Sequence, residues 1–293
     1  MGSRSPVAVV STRTRRAAVT SARLGRLALH IVLLVASAAI ILPFVWMALA
    51  SLKDNREILS FPPTWFPQTL HPENFSEAWT RVPFGRFYIN SILTTLVGML
   101  LGITNATLCA YAFSFIRFPK RDAFFLVVLA TMMVPVEVAI LPNYLTVSYL
   151  GWIDTYAGII VPGAYSAFGT FLLRQYFLTL STEVMDAARI DGCGHRRTLW
   201  HIALPMAQQM IVTYALFRMI GNWNAYLWPL IVTNTAQMRT LPVGLAFLRE
   251  ADGNYEWGVV MAATMMVIAP VLVAFLWVQR QFIEGLTAGA VKG

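Results

Sequence analysis

Charged residues are scarce in this 293-residue chain. Asp, Glu, Lys and Arg together make up 12% of it, hydrophobic residues make up 57%, and Lys53, Lys120 and Lys292 are the only lysines. Soluble domains typically carry about 25% charged residues, and the mean hydropathy here is high at +0.62. The composition therefore excludes an ordinary soluble domain and predicts a protein of the lipid bilayer.

Catalytic and metal-binding motifs are missing as well. None of the three lysines follows a glycine, so the Gly-Lys-Ser/Thr element of a phosphate-binding P-loop is absent. The only cysteines are Cys109 and Cys193, and the spacing of Cys193 from His195 and His201 matches no recognised metal-ligand pattern. We therefore expect no disulfide, no metal, no cofactor bound by this chain and no enzymatic centre, because acid, base and metal groups do not converge anywhere in it.

Six apolar stretches are each long enough to cross a bilayer, which takes about 20 residues of helix. They lie near residues 27–50, 88–115, 123–142, 156–178, 206–232 and 258–279. The stretches are too long for alternating barrel strands, and backbone groups in lipid must be paired within the segment. The sequence thus predicts an all-α polytopic membrane protein with six transmembrane helices in residues 27–284.

Basic residues predict the orientation. The N-terminal arm, residues 1–26, contains six arginines and no acid, whereas residues 143–155 contain no Lys or Arg. Positive residues favour the cytoplasmic side, and alternation then places both termini and the loop of residues 181–205 there. The net charge of +8 is explained by these segments facing anionic lipid and needs no nucleic acid.

A secretory signal is an alternative for the first stretch, because residues 48–50 read Ala-Leu-Ala. The apolar run is about 24 residues long, against the 7–15 of such a signal. We therefore expect a retained helix.

The loop of residues 181–205 has the composition of a folded helical hairpin. Glu183 and Asp186 lie in the first turns of a predicted helix, where negative charge suits the helix dipole. Gly192 permits a sharp turn, and Pro205 can begin the next helix. A connector with these features is predicted to dock against another surface.

This loop resembles the EAA loop of ABC importer permeases, whose pattern is Glu-Ala-Ala, three residues, Gly, nine residues, Ile-x-Leu-Pro. Here Asp186-Ala187-Ala188 is followed by Gly192 and by Ile202-Ala203-Leu204-Pro205 at the same spacings. Asp186 replaces the usual Glu and shortens that side chain by one methylene. The resemblance implies that the loop forms coupling helices that sit in a cleft of a separate cytoplasmic ATPase subunit, which binds the ATP.

Most of the chain beyond the arm resembles the same family, the MalG-type inner-membrane permeases of carbohydrate ABC importers. The supporting motifs include Asn90-Ser91, Arg117-Phe118-Pro119, Trp223-Asn224-Ala225-Tyr226 and residues 284–293. Shorter runs most resemble the permeases of glycerol-3-phosphate importers. The resemblance implies one half of a translocation pathway for a carbohydrate or sugar-like solute, in the plasma membrane of a bacterium.

The implied partners are an ATP-binding cassette ATPase dimer, a second and non-identical permease, an extracytoplasmic solute-binding protein and membrane lipid. The resemblance also implies that the C-terminal tail, residues 285–293, contacts the ATPase dimer interface. A frayed end is the alternative for that tail.

Ten residues of the loop are predicted to couple the chain to the ATPase. They are Glu183, Asp186, Ala187, Ala188, Arg189, Asp191, Gly192, Arg196, Leu204 and Pro205. We expect the small residues to act through their shape and the charged ones through their charge. For Arg196 the alternative is a solvated charge that serves only the orientation of the protein.

Five residues in or beside the apolar stretches are candidates for the substrate pathway. They are Glu137, Arg218, Trp223, Asn224 and Tyr226. A charge near the middle of a span costs at least ~3 kcal/mol, so Arg218 is expected to face the bundle interior or a pore. An anionic substrate would give it a role; snorkelling, or pairing with a carbonyl or with Glu137, is the alternative. Aromatic faces stack on sugars but also fill membrane interfaces.

An ion-driven secondary transporter is the alternative function. Such proteins usually show internal repeats and intramembrane acids. The sequence shows no repeat, and no acid lies in the central part of an apolar stretch.

Overall fold

A computed structural model describes residues 12–250 and 256–288 of the chain. Residues 1–11 of the predicted N-terminal arm and residues 289–293 of the predicted tail lie outside the described residues. Within the described ranges the chain is helical and contains no strand, so the all-α prediction is confirmed for them.

Fifteen α-helices follow one another in these ranges. They are α1 Thr12–Ala50, α2 Asn55–Ile58, α3 Glu73–Arg81, α4 Phe84–Phe115, α5 Arg121–Thr131, α6 Val136–Tyr149, α7 Tyr156–Ile160, α8 Ala167–Phe177, α9 Thr182–Ile190, α10 His195–Thr198, α11 Leu204–Met206, α12 Gln208–Trp223, α13 Leu227–Val232, α14 Leu241–Glu250 and α15 Trp257–Ala288. A 3-10 turn, Val161–Gly163, follows α7, and a π-helical turn, Leu199–Ala203, joins α10 to α11.

Three continuous helices in the described part are long and apolar enough to cross a membrane. They are Gly25–Ala50 within α1, Phe84–Phe115 (α4) and Trp257–Gln279 within α15. Two further pairs would qualify as bent spans: α5 with α6, at 95°, and α7 and its 3-10 turn with α8, at 45°. The count is therefore three to five, and the prediction of six unbroken spans is not confirmed.

Prolines explain where the predicted stretches break. The stretch of residues 123–142 is interrupted because Pro135 caps α6 with an extended ψ of 135°, and a proline disfavours helix in the residue before it. The stretch of residues 206–232 is interrupted between α12 and α13. There Pro229 has no N–H to donate, and its ring would clash with the carbonyl of Ala225 in a continuous helix.

Helix α4 is the centre of the bundle. It packs against α8 and α12, and α12 also packs against α15. A first core cluster lies around the C-terminal half of α4 and includes Ala110, Tyr111 and Phe177. A second core cluster lies around its N-terminal end and includes Phe87 and Trp223.

Glycines let these helices approach closely. Gly169 on α8 faces the ring of the fully buried Tyr214 on α12, and a Cβ at this position would overlap that ring. Small residues at helix interfaces are the usual means of close packing in membranes.

Substituting Gly169 tests this packing. We expect Gly169→Ala to destabilise the protein by about 1–3 kcal/mol, because an added methyl in a filled site forces the neighbours apart. The measurement is the thermal unfolding midpoint of the purified protein in detergent. Gly221→Ala is the matched control, since a Cβ there meets nothing within 4 Å and alanine is the better helix former. Equal midpoints for Gly169→Ala and the unmodified protein would contradict the close approach.

Candidate functional site

The loop of residues 181–205 folds into α9 and α10, which are joined by a tight turn. Gly192 ends α9 with a left-handed φ of +73°, and the N–H of Cys193 donates to the carbonyl of Ala188 at 2.9 Å. A residue with a Cβ resists that φ, so glycine is favoured here. Gly194, which caps α10, has a φ of −69° that other residues also adopt.

Helix α9 has one buried and one exposed face. Met185 and Ala188 are both 4% exposed, and Met185 belongs to the first core cluster. Glu183, Asp186 and Ala187 are exposed. Ala188, predicted from the sequence as a docking residue, therefore packs into the chain itself and supports α9 from beneath.

The exposed face of α9 combines charge with apolar surface. Ile190 is 86% exposed, and Arg189 donates to Asp186 at 2.7 Å. Asp191 is exposed at the end of the same helix. We name Glu183, Val184, Asp186, Ala187, Ile190 and Asp191 the docking face. A large apolar side chain exposed among charges is typical of a protein contact surface.

The second half of the loop attaches to the bundle. Leu204 packs against the first core cluster, and Pro205 lies in the first turn of α11. Arg196 is exposed on α10 and forms no ion pair within the described ranges. Trp200, in the π-helical turn, is 64% exposed and was missed from the sequence because an apolar residue in an apolar context gives no signal.

His195 links the loop to α4. Its Nδ1 lies 3.2 Å from the hydroxyl of Tyr111, and the two rings meet edge to face. A cavity of about 300 Å³ lies beneath the link and is lined by Arg189 and Cys193 among others. The loop therefore contacts α4 near the C-terminal end of that helix.

The five candidates for the substrate pathway are not gathered in one place. Glu137 is exposed on the first turn of α6, and Asn224 and Tyr226 are exposed between α12 and α13. Trp223 is buried in the second core cluster, where its indole N–H donates to the carbonyl of Val267 at 3.0 Å. Trp223 also lines a cavity, with Pro270 and Val271, and Arg218 lines a separate one.

This cavity, of about 60 Å³, lies between α4, α7 and α12 and is named here the Arg218 cavity. Its polar lining consists of Thr94, Arg218, Asn222, Trp228 and Thr240. Asn222 was missed from the sequence, although it lies four residues after Arg218 and so on the same helix face.

Arg218 is held by backbone carbonyls. Its Nη2 donates to the carbonyl of Gly163 at 2.7 Å and to that of Gly98 at 3.3 Å. Among the alternatives expected for Arg218, the structure therefore shows pairing with carbonyls. Glu137 forms no ion pair in the described part of the chain.

A segment formed by residues 233–240 borders this cavity at Thr240. Asn90 on α4 holds the segment in place by hydrogen bonds. The side-chain amide of Asn90 donates to the carbonyls of Gln237 and Arg239 at 2.7 and 2.8 Å, and its oxygen accepts from the hydroxyl of Tyr156. Ser91 accepts from the N–H of Leu241. The Asn90-Ser91 motif thus positions the segment that contributes Thr240 to the cavity.

Asp154 fastens the same segment from the other side. It has a left-handed φ of +60° and accepts hydrogen bonds from the N–H groups of Asn234 and Thr235 and from the Thr235 hydroxyl. Partial burial alone would raise the pKa of Asp154, but these hydrogen bonds and the nearby Arg239 outweigh it and lower the pKa from its ordinary value.

A protein-family comparison gives one match. The model described as "Binding-protein-dependent transport system inner membrane component" matches residues 95–283, which include the loop of residues 181–205 and the Arg218 cavity.

Curated relatives match nearly the whole chain. The sn-glycerol-3-phosphate transport system permease protein UgpE of Pectobacterium atrosepticum is 35% identical over 264 residues, 88% of this chain and 94% of that protein. The protein of the same name from Rhizobium meliloti is 36% identical over 265 residues, with the same coverage of both chains.

Solved structures share the fold. A chain of a bacterial ABC transporter involved in the import of the acidic polysaccharide alginate superposes with a TM-score of 0.78 at 24% identity, covering 89% of this chain and 98% of that one. A chain of the alginate transporter in complex with its pentasaccharide-bound periplasmic protein gives a TM-score of 0.64 at 14% identity, covering 87% and 94%.

The hydrogen bonds that Asp154 accepts from Asn234 and Thr235 predict that the thermal stability of the protein depends on pH. A carboxyl whose pKa is lowered by folding adds stability above its unfolded pKa of about 3.9 and loses it as the pH falls through the folded value. We therefore expect Asp154→Asn, which tolerates the left-handed backbone, to lower the thermal midpoint at pH 7, and the difference from the unmodified protein to shrink below about pH 4. Thermal midpoints measured between pH 7 and pH 3 check this. A difference that stays constant over that range would contradict a role for the charge.

Proposed function

The chain belongs to the family of binding-protein-dependent transport system inner membrane components, and from this premise we propose how it works as the permease subunit of an ABC importer. It is an all-helical membrane protein with the permease fold. The family places it among ABC importers rather than among ion-driven secondary transporters, and its function is transport.

We propose six membrane crossings in residues 27–284. The three continuous helices supply three, the bent pairs α5–α6 and α7–α8 supply two, and α12 with α13 forms the sixth as a broken crossing. The arginine-rich arm of residues 1–26, the loop of residues 181–205 and the tail of residues 285–293 face the cytoplasm in this arrangement, as the distribution of basic residues favours.

The proposed partners follow from what the chain lacks and leaves uncovered. It has no P-loop, so an ATPase dimer binds and hydrolyses the ATP. The candidate span in α1 is not buried by the rest of the described chain, which leaves its apolar surface for lipid and a second permease. The family name states dependence on a binding protein, and we propose that this protein is extracytoplasmic and delivers the solute.

Coupling is the role we propose for the docking face. The observation that carries it is the exposure of Ile190, at 86%, beside the exposed charges of Glu183, Asp186 and Asp191 on a loop anchored by Met185 and Ala188. Movement of an ATPase subunit against this face would reach α4 through His195 and Tyr111. The remaining predicted coupling residues lie elsewhere in the loop. Gly192, Leu204 and Pro205 hold the loop in shape, and Arg189 and Arg196 lie at its exposed edge.

Ile190→Asp tests the coupling role. We expect it to reduce copurification of the ATPase and to lower ATP-driven uptake by roughly tenfold or more, because a charge replaces an apolar side chain at a buried contact. The permease itself should keep its thermal midpoint, since Ile190 is 86% exposed in the described part of the chain. Ile190→Leu is the matched control and should retain both the copurification of the ATPase and the ATP-driven uptake. Normal copurification and uptake with Ile190→Asp would exclude this face from the contact.

For the substrate we propose a phosphorylated polyol of the sn-glycerol-3-phosphate type. Two considerations support it: the two relatives described above are sn-glycerol-3-phosphate permeases at 35% and 36% identity, and Arg218 lines a cavity inside the chain. We do not assign Glu137, Trp223, Asn224 or Tyr226 to direct contacts with it; Asn224 and Tyr226 lie at the break between α12 and α13, where the proposed pathway would widen.

Uptake by the complete importer tests the substrate. We expect proteoliposomes with the permease pair, the ATPase and the binding protein to take up labelled sn-glycerol-3-phosphate when ATP is supplied. Unlabelled glycerol should not compete, because it lacks the phosphate group. Uptake of a neutral sugar but not of the phosphate ester would overturn the substrate class and leave the permease assignment standing.

A further inference from the structure

Arg218 carries a positive charge without a carboxylate partner in the part of the chain that the structure describes. The ion pairs found there involve Lys53, His71, Arg81, Arg121, Arg174 and Arg189. Its Nη2 is satisfied by two carbonyls, but its Nε is buried and has no hydrogen-bond partner among the described residues. An uncompensated charge inside a bilayer is expensive and marks a functional site.

A second unsatisfied polar atom lines the same cavity. The hydroxyl of Thr240 is buried and also lacks a hydrogen-bond partner in the described part of the molecule. Among the described residues, the side-chain amide of Asn222 makes only a long hydrogen bond, 3.4 Å, to the carbonyl of Thr95. A guanidinium, a hydroxyl and an amide that face one space are donors for a group with several acceptor oxygens.

Two glycines of α4 make room for these side chains. A Cβ at Gly102 would lie 2.6 Å from Nε of Arg218, and a Cβ at Gly98 would lie 2.8 Å from Nδ2 of Asn222. The pair of polar residues on α12, four positions apart, thus faces a pair of glycines on α4 with the same spacing. Any larger residue at either glycine would displace the polar side chain.

We propose that Arg218, Asn222 and Thr240 form an anion-binding site in the translocation pathway, and that the phosphate group of the transported solute supplies the missing counter-ion. The proposal rests on the function proposed above. A space of about 60 Å³ holds a few water molecules, since about 10–15 Å³ suffices for one. The site therefore takes the charged group, and the polyol part lies in the pathway that opens during transport.

Charge removal is the first test, measured as uptake of labelled sn-glycerol-3-phosphate by proteoliposomes with the complete importer. Arg218→Gln should lower kcat/KM by roughly tenfold to a hundredfold, the effect of losing a hydrogen bond to a charged group, and Arg218→Lys should retain part of the activity. Arg121→Gln is the matched control. It also removes one positive charge and an arginine-to-carbonyl hydrogen bond, to Ser114, but outside the cavity.

Charge compensation is the second test and does not depend on the first variant folding. Asn222→Asp places a carboxylate four residues from Arg218 on the same helix face, where it supplies the counter-ion permanently. We expect a complex at least as thermally stable as the unmodified one, with more than a tenfold loss of sn-glycerol-3-phosphate uptake, because the fixed carboxylate repels the phosphate. If the site only stabilises the bundle, the Asn222→Asp variant should gain thermal stability and keep its uptake of sn-glycerol-3-phosphate.

Several outcomes overturn the proposal. Unchanged kcat/KM for Arg218→Gln does so, and so does unchanged uptake by Asn222→Asp. If Arg218→Gln loses the second permease on copurification while Asn222→Asp still transports, the counter-ion is a carboxylate of that permease. Failure of the unmodified importer to take up any phosphate ester refutes the proposed substrate and the phosphate site that rests on it, whereas the first two outcomes refute the site alone.

Discussion

The close approach of α4 to α12 is the contact on which the rest of the molecule depends. Gly98 and Gly102 leave space that Arg218 and Asn222 fill, and Arg218 donates to the carbonyl of Gly98 across the gap. One end of α4 carries Asn90 and Ser91, which hold the segment of residues 233–240, and the other end carries Tyr111, which contacts the loop through His195. A single rigid helix thus connects the two regions to which we assign function.

This arrangement gives a physical route for work done at the loop. Met185 and Leu199 anchor the loop in the same cluster as Tyr111 and Phe177, and densely packed side chains transmit displacement rather than absorb it. The same cluster contains Tyr214 of α12, so the loop packs against both α4 and α12. The Arg218 cavity lies between these two helices, and we propose that docking at the loop controls its opening.

The sequence predicts features of the loop of residues 181–205 and of the substrate pathway to different extents. The glycine at position 192 was predicted to make a turn, and its φ of +73° shows why glycine is favoured there. Spacing within a motif, however, does not state which side of a helix is covered. Ala187 and Ala188 are neighbours in the motif, yet Ala188 is buried against the chain and Ala187 is exposed, because adjacent residues on a helix point about 100° apart. Trp223, a pathway candidate as an aromatic in a span, lies buried in the second core cluster.

The sequence by itself determined the class: a scarcity of charge and long apolar stretches require a helical membrane protein, and the motif at residues 181–205 with its spacings identifies the family, since both are properties of composition and order along the chain. Only the tertiary structure decided where the apolar stretches break and which polar groups meet. Hydropathy averages over a window and does not register the bend at Pro135 or the gap before Pro229. The contacts of Arg218 with Gly102 and of Asn222 with Gly98 join residues more than a hundred positions apart, and nothing in the order of the chain specifies such contacts until the helices pack.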